Sequence, residues 1–183
     1  MERPDDDIIL GSGELFIVDA PADNDIPTKE QDATIETTSN HMGDIKGGAR
    51  LSYKITDYEV INDKGEVRKR VITKEEGSFK SGVLSWILEN VSKLVKGTYE
   101  SPSGERILRL GKGNKVKNKM IRFVHTKDDG GKLRFTMLGT LSNGIEFILD
   151  PNKETVVDLE FKAINAKDGT IIEIREEVEV WLI

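Results

Sequence analysis

The side chains able to do chemistry are few, and their spacing does not serve it. There are two histidines and no cysteine. His41 and His125 form no HxH or HExxH pair, and without thiolates the usual donors of a zinc site are missing. A serine triad assembles in space rather than in sequence, but no GxSxG elbow marks a serine for the role. Carboxylates are plentiful, with 33 Asp and Glu in the chain, and a suitable pair could hydrolyse a glycoside. Aromatic residues make up 6% of the chain, however, so sugar-stacking platforms would be sparse. The run Gly111-Lys112-Gly113-Asn114-Lys115 looks like a phosphate loop. It lacks the GxxxxGK order followed by Ser or Thr, and it leads into a strand rather than a helix. Asp57 and Asp63 do not open a calcium-loop series. The expectation is no catalytic site, no metal and no cofactor, with the acids read as solvated surface.

The arrangement of charge is more informative. The net charge of −6 conceals a polarised chain. Residues 1–45 hold twelve acids against Arg3 and Lys29, giving −10, whereas residues 106–127 hold eight Lys and Arg and no acid, giving +8. The basic stretch could meet acids of a second copy, meet a polyanion, or simply be solvated. Interleaved aromatics for base stacking are lacking, since Phe123 alone falls within it. The opening Met1-Glu2-Arg3-Pro4-Asp5-Asp6-Asp7 is the reverse of a signal peptide, and no apolar run approaches the roughly 20 residues that span a bilayer. A cytosolic, reducing site of synthesis is expected.

The elements that must carry these residues are mostly strands. A chain of 183 residues fits one domain, 1–183, with a core of its own. Ile8–Ala20 reads as a strand interrupted at Gly11-Ser12-Gly13. Residues 21–46 read as a long interaction loop, with a short strand possible at Thr34–Thr38. Residues 50–72 give the clearest pattern, a long β-hairpin. Leu51, Tyr53 and Ile55 alternate with polar residues, the phase shifts through Asp57, and Tyr58 and Val60 follow on the apolar side. Asn62-Asp63-Lys64-Gly65 makes the turn, and Val67, Val71 and Ile72 return. An outgoing arm of about 12 residues would reach roughly 40 Å. Two strands alone are marginal in water, so the distal half must lean on something outside the domain or fold back on its own sheet. Thr73-Lys74-Glu75-Glu76 reads as a capping box opening a helix over 74–96, with Phe79, Val83, Ile87, Val91 and Leu94 as its stripe and Trp86 beside them. Gly82 within it suggests close packing. Strands are expected again at 106–110, 120–126, 133–137, 145–149, 157–163 and 178–182. The fold class is mainly β with one α-helix, a β-sandwich or barrel with a long protruding hairpin.

The order of these segments resembles the tail tube (major tail) proteins of long-tailed bacteriophages and prophages of Gram-positive bacteria. The resemblance runs over nearly the whole chain. It rests on Leu10-Gly11-Ser12-Gly13-Glu14-Leu15, on Gly43-Asp44-Ile45-Lys46-Gly47-Gly48-Ala49 before the hairpin, and on Ile72-Thr73-Lys74-Glu75-Glu76, Lys80-Ser81-Gly82 and Trp86. Ile121-Arg122-Phe123-Val124-His125, Glu154-Thr155-Val156, Glu160-Phe161-Lys162-Ala163 and Asp168-Gly169-Thr170 complete it. The resemblance implies hexameric rings of this chain stacked into a hollow tube around a tape-measure protein. Sheath, tail terminator and baseplate would be further partners, DNA would be in transit only, and no membrane would be involved. Localisation would be the virion, after assembly in the host cytoplasm. The tube protein of a phage-derived bacteriocin or secretion system would share all of this, and a monomeric β-sandwich binding module is the reading from another class. Contacts between subunits are expected at Ile55, Asp57, Tyr58, Val60, Val67, Arg68 and Arg70 of the hairpin, and at Lys112, Lys115 and Lys117 of the basic stretch.

Overall fold

A computed structural model describes residues 12–84, 87–111 and 118–178. The chain is mainly β, and its ladders are antiparallel. The strands are β1 (Glu14–Asp19), β2 (Ile45–Ile61), β3 (Val67–Val83), β4 (Gly97–Glu100), β5 (Ile107–Leu110), β6 (Lys119–Thr126), β7 (Lys132–Leu141), β8 (Val157–Ala163) and β9 (Glu173–Glu176). Seven of them make one sheet in the order β1-β6-β7-β8-β3-β2, with β9 also beside β7, and β4 and β5 pair separately. Two short helices, α1 (Asp32–Ile35) and α2 (Leu88–Leu94), stand in the connections, α1 following a 3-10 turn at Lys29–Gln31.

Period-2 alternation explains where the core lies. Leu15 and Ile17 of β1 register with Phe123 and Ile121 of β6, which register in turn with Phe135 and Met137 of β7. Phe161 of β8 stands between Leu141 and Phe79, and Leu159 opposite Ser81. These side chains share one face and close a single cluster with Met42 and Leu94. The other face of β6 and β7 is covered by the α1 region, where Ile35 meets Met120 and Leu138. β6 is therefore buried on both faces from Lys119 to His125. No helix among the described residues is long and apolar enough to cross a membrane.

Several expectations are corrected here. The helix expected over 74–96 is strand over its first ten residues: β3 runs unbroken to Val83, and α2 covers Leu88–Leu94 alone. Thr73 does not cap a helix; its hydroxyl donates to the Thr56 carbonyl at 3.1 Å across the hairpin. A spacing of four residues satisfies both periods, so Phe79 and Val83 lie on one face of a strand as readily as of a helix. Gly77 and Gly82 are needed for close approach within the sheet. A Cβ at Gly77 would fall 2.7 Å from Ile171 Cγ2, and one at Gly82 2.7 Å from Val156 Cγ1. Ile87 precedes α2 as an exposed residue, and Trp86 lies outside the described residues.

The 21–46 segment is not a bare loop. Thr34 sits in helix rather than in a short strand, and β2 already begins at Ile45. The local cause is legible: the Thr28 amide donates to Gln31 Oε1 at 3.0 Å, the reciprocal half of a Thr-x-x-Gln capping pattern. The hairpin is longer than 50–72, with 17 residues in each strand. Residues 145–149 form no ladder, because β8 already fills the place beside β7 and β3. The first strand is described from Glu14, and β9 at Glu173–Glu176 answers to no expected strand; residues 8–11 of the first expected strand and 179–182 of the last lie outside the described residues.

Candidate assembly surface

The hairpin leaves the sheet at a definite point. β3 pairs with β8 from Ser78 to Val83, and toward the tip it has β2 alone. β2 ends the strand order, and among the described residues no strand pairs with its outer edge. Ten residues of β3, 67–76, are exposed and stand beyond the body, about 33 Å of ribbon at 3.3 Å each. At the root, Gly47 and Gly48 carry φ of 77° and 71° and mark a register shift between Lys46 and Ala49. Further shifts follow Thr56 and Val60. The turn closes with the Asn62 amide donating to the Glu66 carbonyl at 3.0 Å and Gly65 at φ 79°.

Register assigns each side chain to a face. Tyr58 stands opposite Val71 and Val60 opposite Lys69, so one face carries an apolar trio beside a lysine. On the other face Asp57 opposes Ile72, Glu59 opposes Arg70 and Ile61 opposes Val67. There Arg70 lies 2.6 Å from Glu59 and 3.9 Å from Asp57, while Arg68 lies 3.7 Å from Glu66. The Tyr53 hydroxyl donates to the Glu75 carboxylate. Eight large apolar side chains of the arm are exposed, among them Tyr58 at 63% and Ile72 at 56%. Large apolar side chains exposed together in this way mark an interaction site. Of the residues expected to touch other subunits, Ile55, Asp57, Tyr58, Val60, Val67, Arg68 and Arg70 all lie on this arm. Lys112, Lys115 and Lys117 lie outside the described residues.

Four described cations of the basic stretch have acid partners within the chain. Lys119 pairs with Asp19 at 2.5 Å, Arg109 with Glu100 at 2.7 Å and Lys127 with Glu176 at 2.9 Å. Arg122 is fully buried, 2.7 Å from Asp32 and 3.3 Å from Glu36. Lys119 and Arg122 thus meet acids of residues 1–45, whereas Arg109 and Lys127 meet acids from other parts of the chain. Arg134 joins the cluster at 2.6 Å from both Glu36 and Glu177, and Arg175 lies 2.5 Å from Asp32. This network ties α1 to β6, β7 and β9, and nothing in local sequence spacing announces it. Burial works against the charge on Arg134, but hydrogen bonds to Glu36 and Glu177 override it and raise its pKa. Burial likewise pushes Asp32 up, and the hydrogen bonds from Arg122 and Arg175 outweigh it, holding the carboxyl below its ordinary value.

The histidines are held locally and apart. His125 Nδ1 lies 2.6 Å from the Ser12 carbonyl, so that nitrogen carries a proton, and the His41 ring packs on Phe16 with centroids 5.3 Å apart. No known family model matches the chain, and no curated protein matches it.

Proposed function

We propose that this chain is a structural subunit that polymerises through its hairpin arm, as the tube protein of a phage-type tail. The observation that carries the proposal is the arm itself, a ribbon with exposed apolar side chains on both faces and open edges. An isolated two-stranded ribbon is marginal in water, and open edges are a liability that proteins ordinarily blunt. Both features make sense if a neighbouring copy completes them by strand addition or burial. A contact between unlike patches of identical chains propagates into rings or helical arrays, the geometry a tube needs. The sequence resemblance supplies the particular assembly: hexameric rings, a lumen for the tape-measure protein and later for DNA.

The test is to shorten the ribbon. Residues 57–73 are replaced by an Asn-Gly turn joining Thr56 to Lys74, which pair in the native register. Concentrated wild-type protein should show annular or tubular particles by negative-stain microscopy, and the shortened chain should remain a folded monomer. Tubes from the shortened chain, or a wild type that stays monomeric at the highest attainable concentration, would refute the proposal.

A further inference from the structure

The arm requires a counterpart, and the body of the chain presents one. Ile148 and Leu149, next to Phe147, are 61% and 78% exposed on the connection between β7 and β8. That connection is pinned. The Thr155 hydroxyl donates to the Ile148 carbonyl at 3.0 Å, and the Lys153 amide donates to the Asp150 carbonyl at 3.2 Å. Ile145 packs against the core, and Glu154 pairs with Lys46 at the root of the hairpin. An apolar pair held out on a fixed loop loses little conformational entropy when it is covered.

Charge matches the two patches. Residues 142–160 hold Glu146, Asp150, Glu154, Asp158 and Glu160 against Lys153, giving −4, and Glu146 and Asp150 lie within two residues of the apolar pair. On the arm, Arg70 is taken up by Glu59 and Asp57 and Arg68 lies by Glu66, so the cation of the Tyr58 face is Lys69. Lys69 sits opposite Val60, beside Tyr58 and Val71.

Position decides between contact within a chain and contact between chains. The loop lies at the hairpin root, where Val156 packs on Gly82 and Glu154 meets Lys46. The tip is at the other end of a 17-residue strand, about 55 Å away along the ribbon. A ribbon two strands wide, about 10 Å, and about 33 Å long offers roughly 330 Å² per face. The face that carries Tyr58 therefore supplies under half of the roughly 800 Å² per partner of a stable interface, and the rest must come from other surfaces of the assembly.

We propose that the Tyr58, Val60 and Val71 face of the arm seats on the Ile148–Leu149 loop of a second copy, with Lys69 set against Glu146 and Asp150. The proposal rests on the arm being the assembly element and adds where it lands. The contact is head-to-tail, joining unlike patches, and so propagates.

A chain without cysteine allows a clean cross-linking test. Lys69→Cys and Glu146→Cys variants are mixed, assembled and treated with a short bis-maleimide. A heterodimeric band in the mixture, with little dimer from either variant alone, is the expected result. Lys69→Cys dimers formed alone, or links to a site elsewhere in the body, would overturn this docking while leaving assembly through the arm intact. Absence of any cross-link together with a monomeric wild type would overturn both. In parallel, Lys69→Glu and Glu146→Lys should each raise the concentration for half-assembly about fivefold, the scale of an exposed ion pair. Their combination in one chain should bring it back to near wild type; a combination no better than the single variants would overturn the pairing.

Discussion

Truncating Tyr58 to alanine separates the stability of the subunit from that of its assembly. A tyrosine side chain offers about 200 Å², and 63% of Tyr58 is exposed. Covering that surface and discounting what alanine retains leaves roughly 90–130 Å², or about 2–3 kcal/mol at 25 cal/mol per Å². The subunit concentration needed for half-assembly should therefore rise roughly 30- to 150-fold. The free subunit should barely respond. It loses the cross-strand pair with Val71, worth up to about 1 kcal/mol, on a ribbon that leaves the core untouched. Sedimentation velocity over a concentration series measures the first quantity and thermal unfolding of the monomer the second, where a shift of no more than about 4 °C is expected for a chain of this size. Assembly of Tyr58→Ala at the wild-type concentration would show that this face is never covered, and the reasoning would fail. A large drop in monomer Tm would show that the arm packs on its own body.

The buried ionic cluster gives two further expectations. Arg122→Ala strips Asp32 and Glu36 of a fully buried partner, so a loss of about 3–5 kcal/mol and a Tm lower by roughly 10 °C should follow; an unfolding midpoint within about 2 °C of wild type would mean that Arg134 and Arg175 suffice. Asp32 and Glu177 have lowered folded-state pKa values, so their stabilisation is present above the ordinary carboxylate range and is lost as pH falls through the lowered values. Arg134 is raised, and its contribution would be lost only in strong alkali, beyond the working range. The protection of the α1 amides against hydrogen exchange, measured relative to the intrinsic rate at each pH, should thus fall below about pH 4, and an acid profile unchanged in Asp32→Asn would contradict the assignment.

Local sequence alone determined the strand alternation and the turn that ends the arm. Leu51, Tyr53 and Ile55 could alternate only in an extended chain, and Asn62 to Gly65 carried its own geometry, since the Asn62 backbone and a glycine at positive φ close the turn without outside help. The residues of the arm picked out as contacts proved to be solvent-facing for the same reason: a polar and apolar alternation with no second layer to bury it shows in the sequence as an overlong hairpin. Residues 74–83 could not be settled this way. Thr73 to Glu76 satisfies a helix start, Phe79 and Val83 fit both periods, and the decision fell to β8, whose Phe161 and Leu159 offer ladder partners at that edge. The basic stretch was equally undetermined. Arg122 alternates onto the face of β6 that α1 covers, so its charge is spent on Asp32 and Glu36, residues some ninety positions earlier. Periodicity reports which way a side chain points; only the folded chain, by bringing distant segments to one sheet face, decides whether water or a countercharge meets it there.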